Sequence, residues 1–304
     1  MSELFTLFFN NLFPILLSAS IGFALAKWLK INPRPLSQVV FYVFSPILVF
    51  NLIRNSQLSN QDILRTLAFA LVLMIAVGLL TWLVGGVLRF ERRMMAAVLI
   101  TTMFMNAGNY GLPLTSFAFG TEALAFASIF FVISALFTNT VGIVIASSGS
   151  MSVIEATKGL IKFPAIYALA AGILFLQIGW ELPTGLDRTV SLLGNAAIPC
   201  MLVLLGMQLV NSRMGGHVRP LIVASSMRLL VAPLLAYGLS LVFRMTGAAQ
   251  QAVVLEAGMP VAVLTTILAT EFDAEPTFVT TAVLVTTLLS PLTLTPLLAF
   301  LGAS

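Results

Sequence analysis

Two charged residues lie deep inside long apolar stretches, where ionised groups are rare. Arg228 and Glu256 each stand about eight residues from an end of their stretch, which at about 1.5 Å per helical residue is roughly 12 Å deep. A charge at that depth in a bilayer costs several kcal/mol unless it is paired or hydrated, and it indicates function by default. Glu256 could accept a proton or neutralise a cation, and Arg228 could pair with Glu256 or hold a carboxylate through two hydrogen bonds.

Structural alternatives stay open for both residues. The long side chain of Arg228 could extend toward the membrane surface, with its charge in water. Glu256 could be a neutral acid that donates a single structural hydrogen bond.

A second kind of chemistry is indicated by the sequence NAGNYGLP, which contains Asn106, Asn109, Tyr110, Gly111 and Pro113. Proline removes a backbone donor and clashes with the preceding turn, and glycine costs about 1 kcal/mol inside a helix relative to alanine. Irregular backbone at membrane depth occurs only where protein covers it or where it lines a watery cavity. The stretch therefore predicts an interrupted helix at a solute site; a packing kink between close helices is the alternative.

A corresponding break is predicted at Gly258-Met259-Pro260, directly after Glu256. Breaks near 108–113 and 258–260 would expose two helix amino ends, whose free N–H groups and partial positive charge favour an anion. Side chains of Asn106, Asn109 and Tyr110 would add hydrogen-bonding groups there, although the asparagines could instead cap the broken ends.

The two breaks can be aligned in two ways. Superposing Pro113 on Pro260 pairs Asn109 with Glu256, and we prefer this alignment because it keeps both breaks in register; the rival alignment pairs Asn106 with Glu256. Two further polar residues, Asn51 and Gln208, lie on the proline-bearing apolar stretches around Pro46 and Pro199. We rank them second as candidates, since such residues more often join neighbouring helices than bind ligands.

The elements that must position these residues are membrane helices. Hydrophobic residues make up 59% of the chain and charged residues 9%, and the mean hydropathy is +1.06. Apolar stretches of about 20 residues recur throughout the chain, which predicts an all-α, multi-pass membrane protein. We predict ten spans, numbered in chain order: 4–26, 36–53, 66–88, 95–118, 123–147, 161–179, 189–210, 220–243, 249–270 and 277–301.

A Ser/Gly-rich linker around 147–160 divides these spans into five and five. An odd number of spans in each half forces opposite orientations, so we predict one transport domain of two inverted repeats, 1–147 and 161–304. Lysine and arginine favour the cytoplasmic side, and ten of those in the connections fall on one side against four on the other. Both termini are therefore predicted to be non-cytoplasmic. The ten are Lys27, Lys30, Arg34, Arg89, Arg92, Arg93, Lys158, Lys162, Arg213 and Arg219.

Composition and residue placement also disfavour other classes. The net charge of +4 comes from basic residues scattered in short connections, so a nucleic-acid partner is not predicted. Aspartates lie at span ends or in connections, and the lone histidine, His217, lies in a connection, so no intramembrane hydrolase, metal site or cofactor is predicted. Cys200 is the lone cysteine, and we expect it to be a small residue that fills the core. A channel stays open as an alternative, because broken helices also build selectivity filters.

The stretches NAGNYGLP (106–113), SPILVFN (45–51) and EAGMPVAV (256–263) resemble the auxin efflux carrier family, which includes plant auxin carriers and bacterial organic-acid permeases. The resemblance extends over essentially the whole chain. It implies two inverted five-helix repeats with crossing spans 4 and 9, similar to bile-acid sodium symporters. It also implies a scaffold of spans 1, 2, 6 and 7, a moving unit of spans 3–5 and 8–10, and a homodimer.

From these features we expect a carrier in the cell membrane that moves a small organic anion by alternating access, with elevator-like or rocking motion. An anion channel or an uncoupled uniporter is the alternative. Glu256 is expected to face a cavity shared with Asn109 and to couple transport to protons, because one acid needs no further ligands. A sodium site, which stays open, would want about six oxygens; Thr265 and Thr266 could supply some.

Overall fold

The computed structural model describes residues 2–148, 163–210, 214–215 and 217–303. Within these ranges the chain is helical, with short connections and no β-strand. We number the helices α1 to α11: Glu3–Trp28, Pro33–Arg54, Asn60–Val87, Arg92–Met103, Ala107–Ala146, Pro164–Ile178, Thr184–Leu209, Val218–Val242, Gly247–Ala257, Leu264–Glu271 and Pro276–Phe300.

Of the helices in the described ranges, seven are long and apolar enough to cross a membrane: α1, α2, α3, α5, α7, α8 and α11. The prediction of an all-α, multi-pass membrane protein is confirmed at this level. Helix α5 contains a sharp bend at Gly120, where φ is +74°, a backbone conformation that favours glycine. Residues on the two sides of Gly120 therefore belong to two helical segments, which correspond to predicted span 5 and the end of predicted span 4.

Proline placement explains a recurring irregularity of the helices. Pro14, Pro46, Pro113 and Pro233 each lie two residues after a five-residue π-helical turn. A proline ring clashes with the carbonyl four residues earlier and leaves it without a donor. The wider turn moves that carbonyl aside, so the helix continues through the proline with a local change in the direction of its side chains.

Two groups of helices emerge from the packing. Helix α1 packs mainly on α7, and α2 packs mainly on α6 and the start of α7. Gly22 and Gly206 bring the backbones of α1 and α7 together, since a Cβ at either would overlap a carbonyl of the other helix, as small residues commonly allow in membrane proteins. The second group contains α3, α4, α5, α8 and α9, which contact one another.

Contacts between connections agree with the predicted sidedness of the loops. Arg93 forms an ion pair with Asp273 at 2.8 Å, and Arg92 donates to the carbonyl of Ser148. The connections before α4, after α5 and after α10 therefore lie at one end of the molecule. Most of the predicted linker between the repeats, together with Lys158, Lys162, Arg213 and the start of predicted span 6, lies outside the described residues.

Candidate functional site

Two extended segments cross at the centre of the molecule. Helix α4 ends at Met103 and α9 ends at Ala257, and the segments that follow run antiparallel through a bridge between Met105 and Val261. The amide of Asn106 donates to the carbonyl of Pro260 at 2.8 Å, and that of Ala262 donates to Phe104 at 3.0 Å. The two breaks thus satisfy each other's backbone groups, which the hydrocarbon of a bilayer would leave unpaired.

The first break lies upstream of its predicted position. The chain leaves the helix at 104–106, and 107–111 already form the first, wide turn of α5. Pro113 lies inside α5, two residues after that wide turn, and the helix continues through it, so the break lies at 104–106 and not at the predicted 108–113. The second break does include Gly258, Met259 and Pro260, and it extends to Val263.

The crossing also bears on the alignment of the halves. With the bridge between Met105 and Val261 as the reference point, Thr265 corresponds to Asn109 and Ile100 corresponds to Glu256. Neither predicted alignment, which paired Glu256 with Asn109 or Asn106, fits this crossing. The two prolines occupy different places, since Pro260 lies within the second break and Pro113 lies within the helix that follows the first.

A cavity of about 270 Å³ lies beside the crossing. Its wall on one side is formed by the amino ends of α5 and α10, at 105–109 and 262–264, together with the later part of α5. The opposite wall comes from α2 and α7, which contribute Ser37, Phe41, Ser45, Met201 and Gln208. Residues at the starts of α5 and α10 thus line the same cavity.

Amide groups supply part of the polar cavity wall, together with the hydroxyl groups of Ser37, Ser45, Ser134 and Thr138. The Nδ2 atom of Asn106 is buried and has no hydrogen-bond partner in the part of the chain that is described. Asn109 donates from Nδ2 to Oε1 of Gln208 at 3.3 Å, which links α5 to α7. Phe41, Phe131 and Phe163 add aromatic surface, and none of the described lining residues is charged.

Arg228 lies on the other side of the crossing and is fully buried. Its Nη1 donates to the carbonyl of Thr102 at 2.6 Å, and its Nη2 donates to the carbonyl of Ala257. Arg228 and Glu256 do not form an ion pair among the described residues. The side chain does not extend to the membrane surface and does not line the cavity, so the predicted roles in binding a carboxylate, in pairing with Glu256 and in extending to the surface are not supported.

Glu256 is also fully buried, between α9 and the start of α5. Thr115 donates to its Oε1 at 3.4 Å, and its Oε2 has no partner within the described ranges. A Cβ at Gly111 would overlap this carboxyl group, so the glycine makes room for it. Glu256 does not line the cavity, which corrects the expectation that it shares the cavity with Asn109.

The remaining predicted site residues also lie outside the cavity. Tyr110 is fully buried, and its hydroxyl oxygen accepts a hydrogen bond from Ser290 at 3.1 Å. Asn51 accepts from Arg54, whose guanidinium pairs with Asp187 at the start of α7. Pro260 does not line the cavity, although its carbonyl accepts from the amide of Asn106 at the crossing. Six further predicted residues are also absent from the cavity wall: Asn51, Tyr110, Gly111, Pro113, Gly258 and Met259.

Comparisons with known proteins agree on the class. A family model described as membrane transport protein matches residues 7–158 and 150–298. An uncharacterized transporter of Methanothermobacter thermautotrophicus is 30% identical over 265 residues, which cover 84% of each chain. An uncharacterized transporter of Methanocaldococcus jannaschii is 26% identical over 270 residues, which cover 85% of this chain and 86% of the relative.

Proposed function

The chain belongs to the membrane transport protein family, and from that premise we propose that it is a secondary carrier of a small organic anion. The observation that carries the proposal is the meeting of two helix amino ends at one cavity whose described walls bear no charge. The auxin efflux carrier resemblance agrees with this class of solute, and neither of the two relatives has a characterised substrate.

The anion preference follows from the groups that face the cavity. The first amides of a helix have no partner within that helix, and the helix dipole adds about half a positive charge there. In α5 the helical bonding begins with Gly111, whose amide reaches the carbonyl of Asn106, so the N–H groups of Gly108 and Asn109 precede it. With the buried Nδ2 of Asn106, these donors suit one carboxylate.

The volume and the lining residues of the cavity restrict the class of solute further. A second carboxylate would enter without a basic side chain to meet it, because the described lining residues are neutral. Aromatic rings of Phe41, Phe131 and Phe163 suit an apolar body. A monocarboxylate with a compact apolar part is therefore the best match to about 270 Å³, a volume near the lower end for ligand sites.

We also propose that the eleven helices form the ten spans of the inverted repeat. In this scheme α4 joins the first part of α5 as span 4, and α9 joins α10 as span 9. Repeat one covers 1–147 and repeat two covers 161–304. Helices α1, α2, α6 and α7 serve as the scaffold, and the others move against them, with the cavity at the boundary. Non-cytoplasmic termini and a homodimer remain part of the proposal.

Proton coupling through Glu256 is the coupling that we favour. The carboxyl group of Glu256 accepts a hydrogen bond from Thr115 and packs against Gly111, both on α5. A change in its charge would therefore act on α5, whose amino end faces the cavity. The coupling is therefore indirect in our proposal, through the position of α5.

A thermal-shift screen followed by counterflow in proteoliposomes tests this function. Monocarboxylates, dicarboxylates and indole acids are compared with their neutral amides, which have similar shape but no charge. We expect monocarboxylates to raise the melting temperature most and to show trans-stimulation by unlabelled substrate. Stabilisation by the neutral amides alone would contradict an anion site. Ion currents without trans-stimulation would indicate a channel instead.

A further inference from the structure

The carboxyl ends of two helices converge on one buried cation. Helices α4 and α9 end at Met103 and Ala257, and the last carbonyls of a helix lack helical partners and carry about half a negative charge. The guanidinium of Arg228 donates to Thr102 near the end of α4 and to Ala257 at the end of α9. Both contacts go to backbone oxygens on helices other than its own.

We propose that Arg228 is a positioning residue, a built-in positive charge that joins the carboxyl ends of α4 and α9 and so sets the geometry of the crossing. The partial charges of two helix ends sum to about one negative charge, which a single guanidinium balances. No carboxylate pairs with it among the described residues, so the helix ends are its counter-charge.

The type of residue and its local structure fit this role. A guanidinium is planar and presents its donors in a fixed fork, whereas a lysine ammonium is a single point charge on a flexible chain. Arg228 lies in the π-helical turn Met227–Val231. Pro233 follows two residues after the end of this turn. The wide turn directs Arg228 inward, where its side chain is fully buried.

The connection to the cavity is short. The carbonyl of Phe104, two residues after Thr102, accepts from Ala262, and Asn106, which lines the cavity, follows two residues later. Displacement of either helix end would shift the crossing, and with it the amino ends of α5 and α10. Arg228 acts on the site through this backbone and does not line the cavity.

Chemical rescue of Arg228→Ala distinguishes this role from general core packing. The readouts are the melting temperature and the rate at which a thiol reagent labels Asn109→Cys in a Cys200→Ala background; neither needs a known substrate, so they stand even if the proposed function fails. We expect Arg228→Ala to change the labelling rate several-fold. Millimolar methylguanidinium should return both values toward those of the parent, and tetramethylammonium, which lacks N–H donors, should not.

Arg54→Ala is the matched control, because Arg54 is also nearly buried and hydrogen-bonded but lies far along α2 from the crossing. Equal rescue of Arg54→Ala, or no rescue of Arg228→Ala, would overturn the proposal. If Arg228→Ala is not recovered folded, Arg228→Lys decides: the proposal requires a folded protein with altered labelling of Asn109→Cys. Parent-like labelling, or failure of the lysine variant to fold, would show that Arg228 does not position the crossing.

Discussion

The two sides of the crossing use the same pair of breaks in opposite ways. On one side, the carbonyl ends of α4 and α9 are held by Arg228. On the other side, the amide ends of α5 and α10 line a cavity whose described residues are neutral, and the Nδ2 group of Asn106, one of the lining residues, is buried without a partner in the described part of the chain. Interrupting two helices creates one region of each polarity, and among the described residues Arg228 supplies a charge to the carbonyl side, whereas the cavity lining is neutral.

The difference between the two sides of the crossing predicts that one side chiefly determines stability and the other chiefly determines ligand binding. On the carbonyl side, the Nη groups of Arg228 bond Thr102 and Ala257 within the chain, so changes there should alter folding first. Donors on the amide side have few protein partners, so changes there should alter ligand binding first. Four substitutions test this division, from the largest expected effect to the smallest.

Arg228→Met should have the largest effect on stability. Methionine retains much of the volume but cannot donate to Thr102 and Ala257, so two buried carbonyls at helix ends lose their partner. Breaking a buried charged contact typically costs about 3–5 kcal/mol. Thermal unfolding of the purified protein in detergent measures the loss. Leu229→Met, at the adjacent buried position, is the control and should change the melting temperature little; equal losses in both would contradict a special role of the guanidinium.

Gly111→Ala should destabilise the protein by about 1–3 kcal/mol, the usual range for overpacking. Its new methyl group would overlap the carboxyl group of Glu256, so α5 and α9 must separate or the side chain must move. Gly86→Ala is the matched control, since nothing lies within 4 Å of a Cβ there. Melting temperatures of the two variants provide the measurement. Equal stability of both variants would show that Glu256 is free to leave its place against α5.

Asn106→Ala should weaken substrate binding by about 1.5–3 kcal/mol, the value of a hydrogen bond to a charged group. Stability should change little, because Nδ2 has no partner in the described part of the chain. Asn51→Ala is the control, because Asn51 lies outside the cavity and accepts a hydrogen bond from Arg54. This variant should lower stability and leave substrate binding unchanged. Titration calorimetry with the best monocarboxylate separates the two, and normal affinity in Asn106→Ala would remove Asn106 from the site.

Several features of this arrangement could be predicted from sequence. Apolar stretches gave the membrane class, because the bilayer leaves few alternatives to long apolar helices. Glycine and proline indicated two interruptions, and the rise of 1.5 Å per residue predicted that Arg228 and Glu256 lie far from the ends of their apolar stretches; both side chains are fully buried within the protein. Depth along a helix follows directly from residue counting.

Direction around the helix axis does not follow from counting. Five-residue π turns rotate the side chains that follow them, and Arg228 lies within such a turn. Its partners are backbone carbonyls, which every residue has, so no side-chain pattern pointed to them. The cavity wall is equally hard to find: Phe41 and Phe131 are two of 23 phenylalanines, and Gln208 resembles any polar residue that joins two helices.

Glu256→Gln should have the smallest effect on stability. It tests whether Glu256, on the carbonyl side of the crossing, is the group that couples transport to protons. Glutamine keeps the shape of the side chain and an oxygen that can accept from Thr115, but it cannot ionise. Under proton coupling, the variant should exchange substrate across the membrane as the parent does, yet lose the accumulation that a pH gradient drives. Sodium should not restore that accumulation.

The measurement is uptake into proteoliposomes over a range of pH, with and without sodium, for the parent and for Glu256→Gln. Thr115→Val is the companion variant, because it removes the one hydrogen bond to the carboxyl group of Glu256 within the described residues and leaves the acid in place. It should shift the pH at which uptake changes without abolishing the dependence. A buried, unpaired carboxylate is costly at membrane depth, so a change in the protonation of Glu256 should shift the packing of α9 against α5. If Glu256→Gln follows the parent's pH profile, Glu256 is structural, and coupling must be sought elsewhere in the chain.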